Sequence, residues 1–170
     1  MEHPHPCPTC GAALPDVPLC YGAEAPWREL GVRDEELERR VILSPDQCVV
    51  DERHCFIRGH IDIPIVGSTE TFSWSVWCSL SGESFLHAME RWTAEDRTGD
   101  PPYFGWLMTR LPVYPDTLRL ETSVKSREVG RVPLVTIERL DHPLAIEQRT
   151  GITRARIEEL AHLLLHRDAS

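Results

Sequence analysis

The residues best suited to chemistry are Cys7-Pro8-Thr9-Cys10-Gly11. Two thiolates two residues apart can grip one tetrahedral ion from a tight turn, and the glycine that follows lets the turn close. Zinc takes four ligands, and there is no second C-x-x-C. The other thiols are Cys20, Cys48, Cys55 and Cys78. Cys78 shares a strand face with Trp74 and Val76, which makes it a core thiol. Cys48 starts a short strand and Cys55 opens a long one, so the two can face each other across the turn at 51–54. The expected ligand set is Cys7, Cys10, Cys48 and Cys55, with Cys20 as the alternative fourth ligand and His54, His3 and His5 in reserve. A closed set of this kind would be structural, adding folding energy and leaving no open position for water. Zinc is the expected metal, although such sites also take iron. The competing account is a redox dithiol or plain free cysteines, but no thioredoxin-like βαβ pattern surrounds the motif.

Two other groups could form a site. Arg58, His60 and Asp62 fall on the polar side of one strand, with Ser73, Ser75 and Trp77 beside them on the next. An exposed Trp77 near an arginine and a histidine would make a binding face, whereas a solvated or helix-covered sheet face is the commoner outcome. Asp141 and His142, with Glu147, could tune an imidazole for general-base work in a hydrolase-type enzyme. No nucleophile accompanies them, and a capping Asp with a satisfied His explains them as well. Asp116 reads as a turn residue bonded to its own backbone. There is no phosphate-binding glycine loop, no G-x-S-x-G, no H-E-x-x-H and no dinucleotide fingerprint.

These residues must be positioned by a sheet. Over 55–65, Ile57, Gly59, Ile61, Ile63 and Ile65 alternate with Phe56, Arg58, His60, Asp62 and Pro64. Over 72–80, Phe72, Trp74, Val76, Cys78 and Leu80 occupy alternate positions likewise, and the polar link at 67–70 makes the pair an antiparallel hairpin. Residues 118–125 and 131–140 read as two more strands, and Pro133 favours an edge or a strand start. Ser81 caps a helix to about residue 95, and Thr153 caps a last helix to 166. Pro143 opens a short helix over 144–149. Residues 33–40 suit a short polar helix, and Phe104, Leu107, Met108 and Leu111 suggest one or two apolar helical turns stopped by Pro112. The expected fold is α+β. A mostly antiparallel sheet of four or five strands carries the helices at 81–95 and 153–166 on one face, with an N-terminal Cys-rich metal knuckle at its edge. One domain spans 1–170, with a zinc-knuckle-like segment at 1–50 packed on a core at 51–170.

The chain has 170 residues and a net charge of −9. That charge repels nucleic-acid phosphates and anionic lipid, and no basic run overrides it. No stretch approaches the ~20 apolar residues that span a bilayer. The N-terminus has no apolar segment of the signal-peptide kind, so the expected location is the cytoplasm.

Several segments, in this order, resemble one bacterial family: Cys7 to Gly11, Asp46-Gln47-Cys48-Val49-Val50, Phe56-Ile57-Arg58-Gly59, Val76 to Ser81 with Phe85, Leu111 to Leu118, and Asp141 to Arg149. The combination is similar to the domain-of-unknown-function family 2199, whose activity is not established. The resemblance pairs the C-x-x-C-G with a later cysteine at Cys48, which implies Cys7, Cys10 and Cys48 as one site. Many members carry a histidine near the position of Leu14, and this chain departs from them there. The resemblance also gives the Asp141 to Arg149 segment some functional weight.

Three functions follow as expectations. The first is a non-enzymatic module that binds another protein in a regulatory or immunity-like role. The second is a hydrolase-type enzyme centred on Asp141, His142 and Glu147. The third, ranked last by the net charge, is a zinc-ribbon nucleic-acid binder. No membrane partner is expected, and the oligomeric state is left open.

Overall fold

The computed structural model describes residues 17–167. Its centre is the hairpin of β4 (His54–Pro64) and β5 (Thr71–Leu80), paired antiparallel from Cys55↔Leu80 to Pro64↔Thr71. The alternation explains the pairing. Ile57, Ile61, Ile63, Phe72, Trp74, Val76 and Cys78 are all buried on the same face, and a one-residue slip would turn every one of them outward.

The chain then continues as a meander through β6 (Tyr103–Leu107), β7 (Glu121–Lys125) and β8 (Leu134–Ile137), each strand antiparallel to the one before. Four reversals leave β8 running the same way as β4. Where the curled sheet brings those two strands together, their pairing must be parallel. It is, through His60↔Leu134, with the His60 N–H donating to Pro133 O at 2.9 Å. The five strands therefore close into a barrel. Two glycines permit the tight curl. A Cβ on Gly59 would lie 2.7 Å from Val135 Cγ2 and 2.9 Å from Pro133 O, and one on Gly105 would lie 2.7 Å from Ser79 O.

Three short strands extend the sheet. β3 (Gln47–Val50) adds to β4 and β2 (Val41–Leu43) adds to β3, both antiparallel, while β1 (Cys20–Tyr21) runs parallel to β5. The α+β class stands, but the open, mostly antiparallel sheet of four or five strands does not. The sheet has eight strands, is mixed, and closes on itself. A closed sheet turns its apolar face inward, so no open face remains for helices to cover. Instead α2 (Gly82–Glu90), α3 (Pro143–Thr150) and α4 (Arg154–Arg167) add Ala88, Leu144, Ala145, Ile157 and Leu160 to the barrel core. Ser81 Oγ caps α2 by accepting from Ser84 N–H at 3.1 Å, and Thr153 Oγ1 does the same for Arg156 N–H in α4. In the expected polar helix at 33–40, a 3-10 turn (Asp34–Glu36) leads into α1 (Leu37–Arg40).

The helical turns expected near Phe104 are instead strand β6. Tyr103, Gly105 and Leu107 point inward while Phe104 and Trp106 remain exposed. Apolar residues on both faces masked the period of two. On the barrel's outer side a second core joins Ala25, Trp27 and Val32 to Cys48, Val50, Phe56 and Trp77. The 3-10 helix Pro26–Leu30 thus covers one end of the hairpin.

Arg97 is 3% exposed. Its guanidinium donates to four carbonyls, those of Trp92, Arg127, Glu128 and Arg131, at 2.6–2.9 Å. This ties the β7–β8 turn to the segment after α2.

Candidate functional site

The polar side of the hairpin is not an open binding face. Trp77 is 3% exposed, packs in the second core and donates from Nε1 to Ala23 O at 3.2 Å. Arg58 pairs with Asp46 at 2.7 Å and donates to Ser75 Oγ at 3.0 Å. Asp62 accepts from Arg127 and from Ser73 Oγ, both at 2.7 Å. His60 is half-buried, and desolvation pushes its pKa below the ordinary value. Arg58, Asp62 and Trp77 are thus engaged within the chain, and the N-terminal segment covers part of the face.

Asp141, His142 and Glu147 point to three different partners. His142 is the N-cap of α3: its Nδ1 accepts Leu144 N–H at 3.2 Å, so Nε2 carries the proton toward Pro115 O at 3.3 Å. With both ring nitrogens occupied, none is left to act as a base. Asp141 is exposed and paired with Arg139 at 3.0 Å, which holds its carboxyl below the usual range. Glu147 accepts from Tyr114 OH at 2.6 Å and from Arg156 at 2.8 Å, and Trp74 Nε1 donates to Tyr114 OH at 3.2 Å. Burial, with Glu147 beside it, pushes the Tyr114 hydroxyl well above its usual range. This chain of bonds, from Trp74 through Tyr114 and Glu147 to Arg156, pins α3, α4 and the long loop to the barrel.

Cys7 and Cys10 lie outside the described residues. The remaining thiols do not converge. Cys48 is opposite Phe56 and Cys55 is opposite Val49, so the two side chains leave opposite faces of the sheet. The expectation that they face each other fails on this register. Cys20 pairs with Ser73, whereas Cys48 reaches β5 through Phe56 at Ser79, about 20 Å further along the strand. Among the described residues no cluster of three His, Cys, Asp or Glu side chains could hold a metal ion. Cys48 does lie beneath Ala25 and Trp27 of the N-terminal segment, the part of the chain that follows the C-x-x-C. Burial pushes its thiol to about 11 and the enclosed Cys78 thiol to about 12.

A concave site is found elsewhere. A cleft of 380 Å³ has an apolar lining that includes Leu30, Phe56, Leu80, Trp106 and Met108, with Arg53, His54 and Arg119 beside them. Five parts of the chain build it: Leu30, residues 53–56, residues 79–80, Trp106 with Met108, and Arg119. Arg53 follows a tight β3–β4 turn in which Asp51 and Glu52 have φ of 51° and 57°, closed by Arg53 N–H to Val50 O at 3.1 Å. Arg119 has φ of 65°, and its N–H donates to Leu107 O at 2.6 Å. Trp106 projects from the outer side of β6 and packs edge-to-face on Phe104 at 5.1 Å. Residues without glycine's freedom rarely hold such angles unless their surroundings impose them, and they concentrate at functional positions. Most arginines among the described residues pair with carboxylates, but the Arg53 and Arg119 side chains have no hydrogen-bond or ion-pair partner there.

Sequence reasoning missed this cleft. Arg53, Trp106 and Arg119 are distant in the chain and form no motif. Their one sequence signal was an arginine at the end of the turn already identified at 51–54. A second, wider hollow beside α2 is lined by Glu83, His87, Glu90 and Tyr103, with His87 Nδ1 hydrogen-bonded to Tyr103 OH at 2.7 Å.

Among the described residues no helix is long and apolar enough to cross a membrane. No curated protein and no solved structure matches the chain. A family described as an uncharacterized protein conserved in bacteria, DUF2199, matches residues 6–152. With that match spanning most of its length, the chain belongs to the bacterial family DUF2199.

Proposed function

We propose that the protein is a non-enzymatic binding module that docks another protein at the cleft in a regulatory or immunity-like role. The observation behind this reading is the pair of unpartnered guanidiniums, Arg53 and Arg119, carried by turns that line an otherwise largely apolar cleft. Large apolar contacts with a few oriented polar groups are what recognition requires. The non-enzymatic part rests on the occupied nitrogens of His142 and on the separate partners of Asp141 and Glu147. The test is a photo-crosslinking residue at position 106, with a control at the exposed Ile146, in a bacterial host of the family. One protein captured from position 106 alone, and then bound 1:1 by calorimetry when purified, is the expected result. Equal capture at both positions, or none, overturns it.

The zinc clamp belongs to the same reading as a proposal. Cys7 and Cys10 hold the ion with Cys48, over which the N-terminal segment packs, in preference to Cys55, whose position on the opposite face of the sheet supports this choice. Elemental analysis should find one zinc per chain, lost in Cys48→Ser and kept in Cys55→Ser. Folded protein without metal removes the clamp.

A further inference from the structure

We infer that the segment captured by the cleft is an acidic peptide stretch with one large apolar anchor residue, an inference that rests on the docking reading above. The cleft's size argues for the anchor. At 380 Å³ it has room for a large aromatic or aliphatic side chain together with the backbone beside it, and not for a folded element. Leu30, Phe56, Leu80 and Met108 would surround that side chain, and Trp106 offers it a ring face. The Phe104–Trp106 pair continues the apolar surface out of the cleft along β6, with Phe104 53% exposed, so a chain leaving the pocket has somewhere to lie.

Charge argues for the acid. In a chain of net charge −9, a guanidinium left without a carboxylate is the exception, and two such groups line one cleft. Guanidinium groups bind carboxylates bidentately, through a planar fork that matches the two oxygens. His54 beside them adds a third donor. Nucleic acid fits less well. Two arginines cannot neutralise a polyanion against the net field.

The probe is a fluorescein-labelled peptide, Glu-Asp-Phe-Asp-Glu with blocked ends, read by anisotropy on the full chain. Saturable binding is expected, weaker at high salt. Exchanging its acids for amides, or its Phe for Ala, should weaken binding at least tenfold. The same loss should follow Arg53→Gln with Arg119→Asn, asparagine being chosen because it tolerates the left-handed region at 119. Circular dichroism should show both exposed-site variants folded. No saturation at millimolar peptide, or binding untouched by the two substitutions, overturns the inference. So does tighter binding of a single-stranded oligonucleotide of equal charge. The crosslinking experiment separates the two readings. If position 106 captures a protein whose contacting peptide, mapped by mass spectrometry, is neutral or basic, the acidic inference falls while docking at the cleft stands.

Discussion

A buried guanidinium whose hydrogen-bonded partners are all carbonyls has nowhere else to put its charge. Arg97 meets this condition with Trp92, Arg127, Glu128 and Arg131. Its planar fork reaches several acceptors at once, which an ammonium cannot do. Arg97→Met should therefore cost about 3 kcal/mol by leaving several carbonyls unsatisfied, and Arg97→Lys should recover part of that at most. Urea titration measures both, and a loss under about 0.5 kcal/mol, the usual limit for surface sites, would show the clamp to be dispensable. Nothing in the local sequence marks Arg97, because three of its acceptors lie some thirty residues away. Trp77 teaches the same lesson in reverse. Its place among polar neighbours suggested exposure, yet the segment around Trp27 covers it.

At the scale of elements, the hairpin and β6 behave differently for one reason. Alternation is readable when one face is almost wholly apolar and the other mostly polar over ten or so residues, as over 55–80 despite Phe56 and Trp77. It is hidden when Phe104 and Trp106 stand outside while Tyr103 and Leu107 fill the inside. Closure also depends on elements with no side chain at the contact. Gly59→Ala would drive a methyl into Val135 Cγ2 and the backbone at Pro133, and Gly105→Ala into the backbone at Ser79. Each should destabilise the fold by about 2 kcal/mol, within the range for overpacking. Substitution at Gly82, whose Cβ would meet nothing, serves as the control and should change the melting temperature little. Equal effects at all three positions would show that close approach is not what these glycines serve.

At the scale of the molecule, charge sets the response to pH. Asp51, Asp100 and Asp141 are held below the usual carboxylate range by Arg40, Arg91 and Arg139. A carboxyl with a lowered folded pKa takes up its proton first in the unfolded chain. The stability it contributes is therefore present above the unfolded pKa, near 4, and lost as pH falls through the folded value. His60 acts in the same direction at higher pH. Desolvation lowers its pKa from 6.5, opposed by Asp62 and reinforced by Arg127, Arg58 and Arg131, so its contribution fades as pH drops below about 6.5. Melting temperatures from pH 8 to 3 should fall in two steps, and His60→Gln should remove the upper one. A flat profile between pH 7 and 5 in the unsubstituted protein would count against the burial assigned to His60.

The sequence by itself determined the α+β class, the long hairpin, the caps at Ser81 and Thr153, and membership of a bacterial family. These rest on local periodicity, local hydrogen bonding and ordered motifs, all carried by neighbouring residues. The tertiary structure alone decided that the sheet closes, since closure joins His60 to Leu134 through backbone atoms and a missing side chain at Gly59. It also decided that Cys48 and Cys55 part to opposite faces, because one residue of register separates facing from opposing. The same structure placed a pocket where Arg53, Trp106 and Arg119 meet. A cleft is formed by residues far apart in the chain, and their proximity exists only once the barrel has folded.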